Sequence, residues 1–366
     1  MKTLVLMLGV VSLVITTQNL TAAPLGLPDV PVPSNNKLTP AKIKLGDKLF
    51  HDTRFSSTGK VSCATCHDKA KAFTDSPLKV SEGINKLTGT RNAPTVVNAA
   101  YMHSMFWDGR EPDLEGQSAG PFINPVEMGL ANHKPILKIV RKDAEYKKLF
   151  KKAFNKSGGR IKMKHVQQAI ASFERTIISG NSKFDRYQYG GDKNALNKSE
   201  LRGLKVFLQQ GRCVSCHTIS QTHALFSDSR FHNLGIGFER INKDVKELAN
   251  AFAKAKKNAA EVDVAVLTNK NTSELGRFAV STQFRDMGSF KTPTLRNIAK
   301  TSPYMHDGSL ESLLDVVKFY NNGGRVNESD PTFDFQSGGI RPLDLSDEQM
   351  DDLVAFMEAL TSPEYK

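Results

Sequence analysis

All four cysteines of this 366-residue chain fall into two copies of one five-residue pattern, Cys63-Ala64-Thr65-Cys66-His67 and Cys213-Val214-Ser215-Cys216-His217. C-x-x-C-H is the attachment signature of a c-type haem. The spacing has a chemical reason. Two thiols three positions apart on one helical turn reach the two vinyl groups of one porphyrin. The adjacent histidine then lies beneath the iron as its proximal ligand. A redox C-x-x-C has no use for the following histidine, and here it occurs twice. A zinc site draws two such pairs together, whereas these lie 150 residues apart, each with its own histidine. Two covalent haems are therefore expected, one on Cys63, Cys66 and His67, the other on Cys213, Cys216 and His217. No cysteine is left for a disulfide.

The N-terminus points to a compartment. A basic Lys2, an apolar run over 4–15 and the small-residue exit Thr21-Ala22-Ala23 describe a secretory signal peptide over 1–23. The run is too short to span a bilayer comfortably, and an uncleaved anchor is the alternative. Residues 24–37, with Pro24, Pro28, Pro31 and Pro33, read as an extended leader with no core of its own. The expectation is a periplasmic protein, free of the membrane once the signal is removed. There are 50 Lys+Arg against 38 Asp+Glu, a net charge of +12. The lysines are scattered, no nucleic-acid motif accompanies them, and export removes the chain from nucleic acid. What the charge leaves is a bias towards an acidic redox partner.

The chain looks duplicated. Gly46-Asp47-Lys48-Leu49-Phe50 precedes the first haem motif, and Gly203-Leu204-Lys205-Val206-Phe207 precedes the second. Farther on, Pro94-Thr95-Val96-Val97-Asn98 leads to Asp108-Gly109, and Pro293-Thr294-Leu295-Arg296-Asn297 leads to Asp307-Gly308. From motif histidine to that proline is 27 residues in the first half and 76 in the second, so the second carries about 49 more. They are expected within 219–285, which includes a Lys/Ala-rich helical stretch over 245–267. The predicted fold is mainly α: two cytochrome c-like haem domains related by internal duplication, over 38–190 and 191–366.

Local signals place the helices. Thr39-Pro40 is a cap followed by a first-turn proline, Asn197 with Glu200 is a capping box, and Ser346 with Gln349 is another. Apolar spacing predicts helices over 162–178 and 309–321, the latter stopped by Gly323-Gly324. A haem with two strong axial ligands relays electrons, and one with an open position binds small ligands. The sixth ligand at each iron therefore decides function, and composition does not reveal it. On residue type alone, the thioether of Met305 is the natural candidate at the second haem.

Several motifs occur in a fixed order. They are C-x-x-C-H, Arg91-Asn92-Ala93-Pro94-Thr95, Phe106-Trp107-Asp108-Gly109-Arg110, Asn124-Pro125-Val126-Glu127-Met128, the second C-x-x-C-H, Lys291-Thr292-Pro293-Thr294-Leu295-Arg296-Asn297 and Pro303-Tyr304-Met305-His306-Asp307-Gly308. This order resembles the bacterial di-haem cytochrome c peroxidases. Their relatives include the methylamine-utilisation enzyme that matures a tryptophan-derived quinone. The resemblance covers nearly all of the chain after residue 38.

It implies that the His67 haem is peroxidatic, with Glu127 as acid–base catalyst, Gln117 in its pocket and Trp107 between the two haems. It implies that the His217 haem receives the electrons, with Tyr320 as sixth ligand and Met305 as the alternative. A calcium ion would sit between the modules on Asn92, Thr301 and the carbonyl of Pro303. H2O2 is the implied substrate, a cytochrome c or copper protein the implied donor, and a homodimer a frequent family state. Typical members place a distal histidine where this chain has Ile84. That departure predicts a five-coordinate or water-bound His67 haem. It moves the chain towards the quinone-forming relative, which uses peroxide to oxidise a protein side chain or an organic substrate. A di-haem electron carrier is the remaining alternative.

Overall fold

The structure is a computed structural model that describes residues 23–237, 240–241, 244–255, 258–324 and 335–365. The expected signal peptide therefore lies, but for Ala23, outside the described residues. Thr39 accepts a hydrogen bond from the backbone N–H of Lys42 and Pro40 opens the helix Pro40–Phe50. Its apolar face, Leu45, Leu49 and Phe50, packs on the helix Met163–Glu174. The approach is close because Gly46 has no Cβ; one placed there would run into the backbone carbonyl of Ala169. Phe50 and Phe173 close the crossing, with ring centroids 5.3 Å apart.

A second pair crosses in the same way. Asn197 and Glu200 cap the helix Lys198–Leu208. Gly203 meets the backbone carbonyl of Asp352 on the helix Asp347–Glu358, and Phe207 and Phe356 stand 5.2 Å apart. Each pair centres its own apolar core, one with Phe55, Tyr146 and Phe150, the other with Phe184, Phe226 and Leu360. Among the described residues the one sheet is two-stranded and antiparallel, Phe231–His232 against Phe290–Lys291. The fold is thus mainly helical, as expected.

Some expectations change in detail. The helix over 162–178 is Met163–Glu174, and that over 309–321 is Leu313–Asn321, because the Ser312 hydroxyl accepts from the Asp315 N–H and starts it there. The stretch 245–267 holds two helices, Val245–Ala255 and Ala259–Thr268. Asn258 caps the second by accepting from the Glu261 N–H, a local bond that competes with a continuous helix. These helices build a third, smaller core around Val245, Val262, Val266 and Phe278. The leader 24–37 has no helix or strand, yet it packs. Leu27 and Val30 are buried with Tyr101, and Asn36 donates to Glu115 Oε1 (2.7 Å) and to the Gln168 carbonyl (2.9 Å). Phe184, on the near side of the expected 190/191 boundary, belongs to the second core.

The two helix-pair units meet through reciprocal backbone bonds. The Asn92 N–H donates to the His306 carbonyl and the Lys291 N–H to the Trp107 carbonyl, both at 2.8 Å. Asn98 and Asn297 both adopt left-handed φ, 63° and 60°, which asparagine tolerates better than most residues. Both side-chain amides reach Ser179, Asn98 at its carbonyl and Asn297 at its hydroxyl.

Candidate haem sites

Cys63–Cys66 is a single helical turn, held at its start by Thr65 Oγ1 accepting from the Ser62 N–H. His67 leaves the helix, and its Nδ1 lies 3.1 Å from the carbonyl of Phe73. The second motif is a 3-10 turn, Cys213–Ser215, and His217 Nδ1 lies 2.9 Å from the carbonyl of Phe226. A carbonyl can only accept, so each ring carries its proton on Nδ1 and keeps the Nε2 lone pair for a metal. Burial lowers both histidine pKa values, which favours the neutral, ligating form. The acceptor loops are braced alike. Thr95 donates to the Ala72 carbonyl (2.6 Å) and Thr294 to the Leu225 carbonyl (2.8 Å), each one residue before the acceptor.

All four thiols are unpaired. Burial pushes Cys66 and Cys213 up to about 12 and Cys63 higher still. A reactive, redox C-x-x-C has the opposite, a lowered thiol pKa. The surroundings are instead apolar. Beside Cys213, Cys216 and His217 lies a cavity of about 350 Å3 that Trp107, Met305 and Tyr320 also line. Thiols, a poised imidazole and an apolar cavity are the parts a covalent haem requires, so the residues of the second motif fit the group, and the first motif repeats the thiols and the imidazole. Among the described residues one other cluster has metal-ligand spacing, Cys216 with Asp228 and His232. It depends on a sulfur that the haem motif uses.

Glu127 lies on the loop after the short helix Gly120–Ile123. Its loop is tied to the first motif: Cys66 Sγ contacts the Glu82 carbonyl, Gly83 abuts the Glu127 backbone, and the Ile84 N–H donates to the Glu127 carbonyl (2.8 Å). The Glu127 side chain is half-buried, and its Oε2 is buried with no hydrogen-bond partner among the described residues. Burial, aided by nearby Asp263 and opposed by Arg110, raises its pKa to about 8. Ile84 is buried in the first core and reaches towards Gly129, two residues beyond Glu127. Gln117 ends the helix Leu114–Gln117, and no side-chain hydrogen bond among the described residues fixes its amide.

Trp107 donates from Nε1 to the Asn92 carbonyl (2.9 Å) and borders the cavity beside His217, at the junction of the two units. Met305 and Tyr320 line the same cavity as His217, so the geometry brings both candidates for the sixth ligand to one place. Burial pushes the Tyr320 phenol well above its ordinary pKa. Asn92, Thr301 and Pro303 border this cavity too. Asn92 donates its amide to the Leu78 and Lys79 carbonyls, and Thr301 donates to Ile298, which leaves both side-chain oxygens free to accept. Neutral oxygens of this kind suit a hard cation.

Sequence reasoning missed three features. The carbonyls of Phe73 and Phe226 carry no side-chain signature. His306, whose Nε2 pairs with buried Glu274 (2.8 Å), reads in sequence as part of a motif without a role. Asp263 stands in a stretch that reads only as inserted helix.

With this geometry in view, likeness to known proteins decides the family. The model of the di-haem cytochrome c peroxidase family matches residues 40–194. The cytochrome-c peroxidase IdrP1 of Pseudomonas sp. (strain SCT) is 35% identical, over 92% of this chain and 85% of its own length. The chain belongs to the di-haem cytochrome c peroxidase family. The family includes MauG-like members, and the methylamine utilization protein MauG of Methylorubrum extorquens is 34% identical over 90% of this chain and 81% of its own. In fold, this peroxidase-family chain matches the crystal structure of a MauG-like protein associated with microbial copper homeostasis. The TM-score is 0.74 at 31% identity, covering 94% of this chain and 97% of that one. It is an oxidoreductase of the peroxidase kind with two c-type haems. No helix among the described residues is long and apolar enough to cross a membrane.

Proposed function

We propose that this peroxidase-family chain reduces H2O2 at the His67 haem with electrons received at the His217 haem from a cytochrome c or a copper protein in the periplasm. One H2O2, two electrons and two protons give two waters. When bound, the haem iron supplies the open position for peroxide and the electrons that split it. The protein's part is to move the proton. Glu127 takes it from one peroxide oxygen and returns it to the other, which eases cleavage of the bond between them. The observation that carries this reading is the buried, unpartnered Oε2 of Glu127, on a loop tied to the first haem motif. A carboxyl with a pKa of about 8 holds and releases a proton near neutral pH, as an acid–base catalyst must. Gln117 would complete the pocket, Trp107 would stand between the two haems, and Tyr320, rather than Met305, would hold the second iron from the side away from His217. Calcium on Asn92, Thr301 and the Pro303 carbonyl braces the junction. The matching glycine crossings, braced carbonyls and reciprocal junction bonds support descent of the two units from one duplicated module.

The test is peroxide reduction by the haem-loaded protein with reduced cytochrome c as donor. Glu127→Gln should lose about 10²–10⁴-fold in rate with both haems still attached. An unchanged rate would remove Glu127 from the chemistry.

A second reading is oxidation of a protein side chain or organic substrate by peroxide, as in quinone maturation. Ile84 beside the Glu127 loop, where a distal histidine is expected, favours it. Slow turnover with every reduced carrier, together with peroxide-dependent oxidation of an added organic donor, would select that reading.

A further inference from the structure

The inserted segment of the second half reaches into the first. Asp263, on the helix Ala259–Thr268, is 91% buried, and both its oxygens are used. Oδ1 accepts from Arg110 Nε (2.8 Å) and Oδ2 from Asn124 Nδ2 (2.7 Å). Asn124 is the hub of the Glu127 loop. Its Oδ1 accepts from the Val126 N–H (3.1 Å), and its carbonyl accepts from the N–H groups of Glu127 (3.2 Å) and Gly129 (2.9 Å). Arg110 is fixed as firmly. Its guanidinium lies 3.5 Å above the Phe106 ring and pairs with both oxygens of fully buried Asp108.

The same inserted segment grips this region elsewhere. Ser273 accepts from Arg91 Nε at its hydroxyl and from Nη2 at its carbonyl. Arg277 donates to the carbonyls of Asp108 and Gly109. The Val126 side chain, next to Glu127, packs into the insertion's own apolar core.

We infer that Asp263 is a positioning residue for Glu127: from the inserted helix it holds Asn124, which shapes the Glu127 loop, and Arg110, a cation whose charge that carboxyl feels. This deepens the proposed role of Glu127 and rests on it. The charged groups facing Glu127 are Arg110, from the loop after Trp107, and Asp263, from the inserted helix. Cys63 and Cys66 face it from the motif turn and carry no charge as thiols or as thioethers. Removing the Asp263 charge takes away a repulsion and leaves Arg110 less neutralised, so Glu127 ionises at lower pH.

The experiment follows the optical spectrum of the ferric holoenzyme against pH, alongside the pH profile of kcat/KM for peroxide. Glu127→Gln should abolish one spectral step. Asp263→Asn should move that step to lower pH by about one unit. Asp263→Glu keeps the charge but displaces the carboxylate; the step should stay near its wild-type pH while kcat/KM falls at least several-fold, as misplacement by about 1 Å does. A step that Glu127→Gln abolishes but Asp263→Asn leaves in place overturns the inference, and so does an Asp263→Glu protein with wild-type kcat/KM. A step that survives Glu127→Gln overturns the role of Glu127 itself. If Asp263→Asn does not fold, Asp263→Glu still decides.

Discussion

The two haem units share a frame and part company in what surrounds the haem. In each, two helices cross over a glycine, and a threonine braces the loop whose carbonyl fixes the proximal histidine. Position by position the contents then diverge. Trp107 of the first unit stands where the second has His306, and Phe106 stands where it has Met305. The residue after Phe173 is Glu174, buried with an unpartnered Oε2 and raised by burial to about 8. The residue after Phe356 is Met357, which lines the cavity beside His217. Near the first motif stand carboxyls that burial keeps protonated to unusually high pH, Glu127 and Glu174, and the cavity at the second motif is lined by the aromatic and thioether side chains of Tyr320, Met305 and Met357. A frame that orients the motif histidine alike in both units leaves the residues around it free to differ, and the proposed split of proton and electron handling rests on that difference.

The largest test strikes the shared frame. Alanine at Gly46 or Gly203 gains about 1 kcal/mol of helix propensity but costs about 3 kcal/mol in overpacking against a backbone carbonyl. Each variant should therefore lose about 2 kcal/mol in guanidinium unfolding followed by haem absorbance. Clearly unequal losses would break the likeness of the two crossings.

A smaller effect separates the units by pH. Glu127 and Glu174 bind their protons more tightly folded than unfolded. The stability they add is full below the ordinary carboxylate range and is lost as pH rises through about 8. Glu174→Gln should flatten the decline in melting temperature over that interval. A decline parallel to wild type would show that Glu174 is not a buried acid in the haem-loaded protein. Met357→Leu, its counterpart, should leave the pH dependence unmoved.

The smallest expected effect returns to the frame. Thr95→Val and Thr294→Val each remove the hydroxyl's bond to the acceptor loop and the one it accepts from the Val97 or Arg296 N–H, and should cost about 1–2 kcal/mol. If only one variant loses stability, the two proximal histidines are not held alike.

How much of this was legible depends on how local each signal is. The helix starts at Pro40, Lys198 and Asp347 were readable because a cap and its partner lie within one turn of each other. The break between the two helices of the 245–267 stretch was not legible because its composition favours helix throughout, while the Asn258 cap acts on a single turn. The leader's packing was hidden because proline-rich sequence signals an extended chain and not what that chain lies against.

The sequence alone picked out the two C-x-x-C-H motifs, the mainly helical build and the twofold recurrence of motifs, since each rests on residues a few positions apart. It also named Glu127 and Trp107 through resemblance. Only the tertiary structure decided that Phe73 and Phe226 orient the proximal histidines, that the two units exchange backbone bonds at Asn92 and Lys291, and that Asp263 reaches Asn124 across 139 residues. Such contacts join parts of the chain that share no local pattern. They exist because buried donors and acceptors must find partners wherever the fold brings them together.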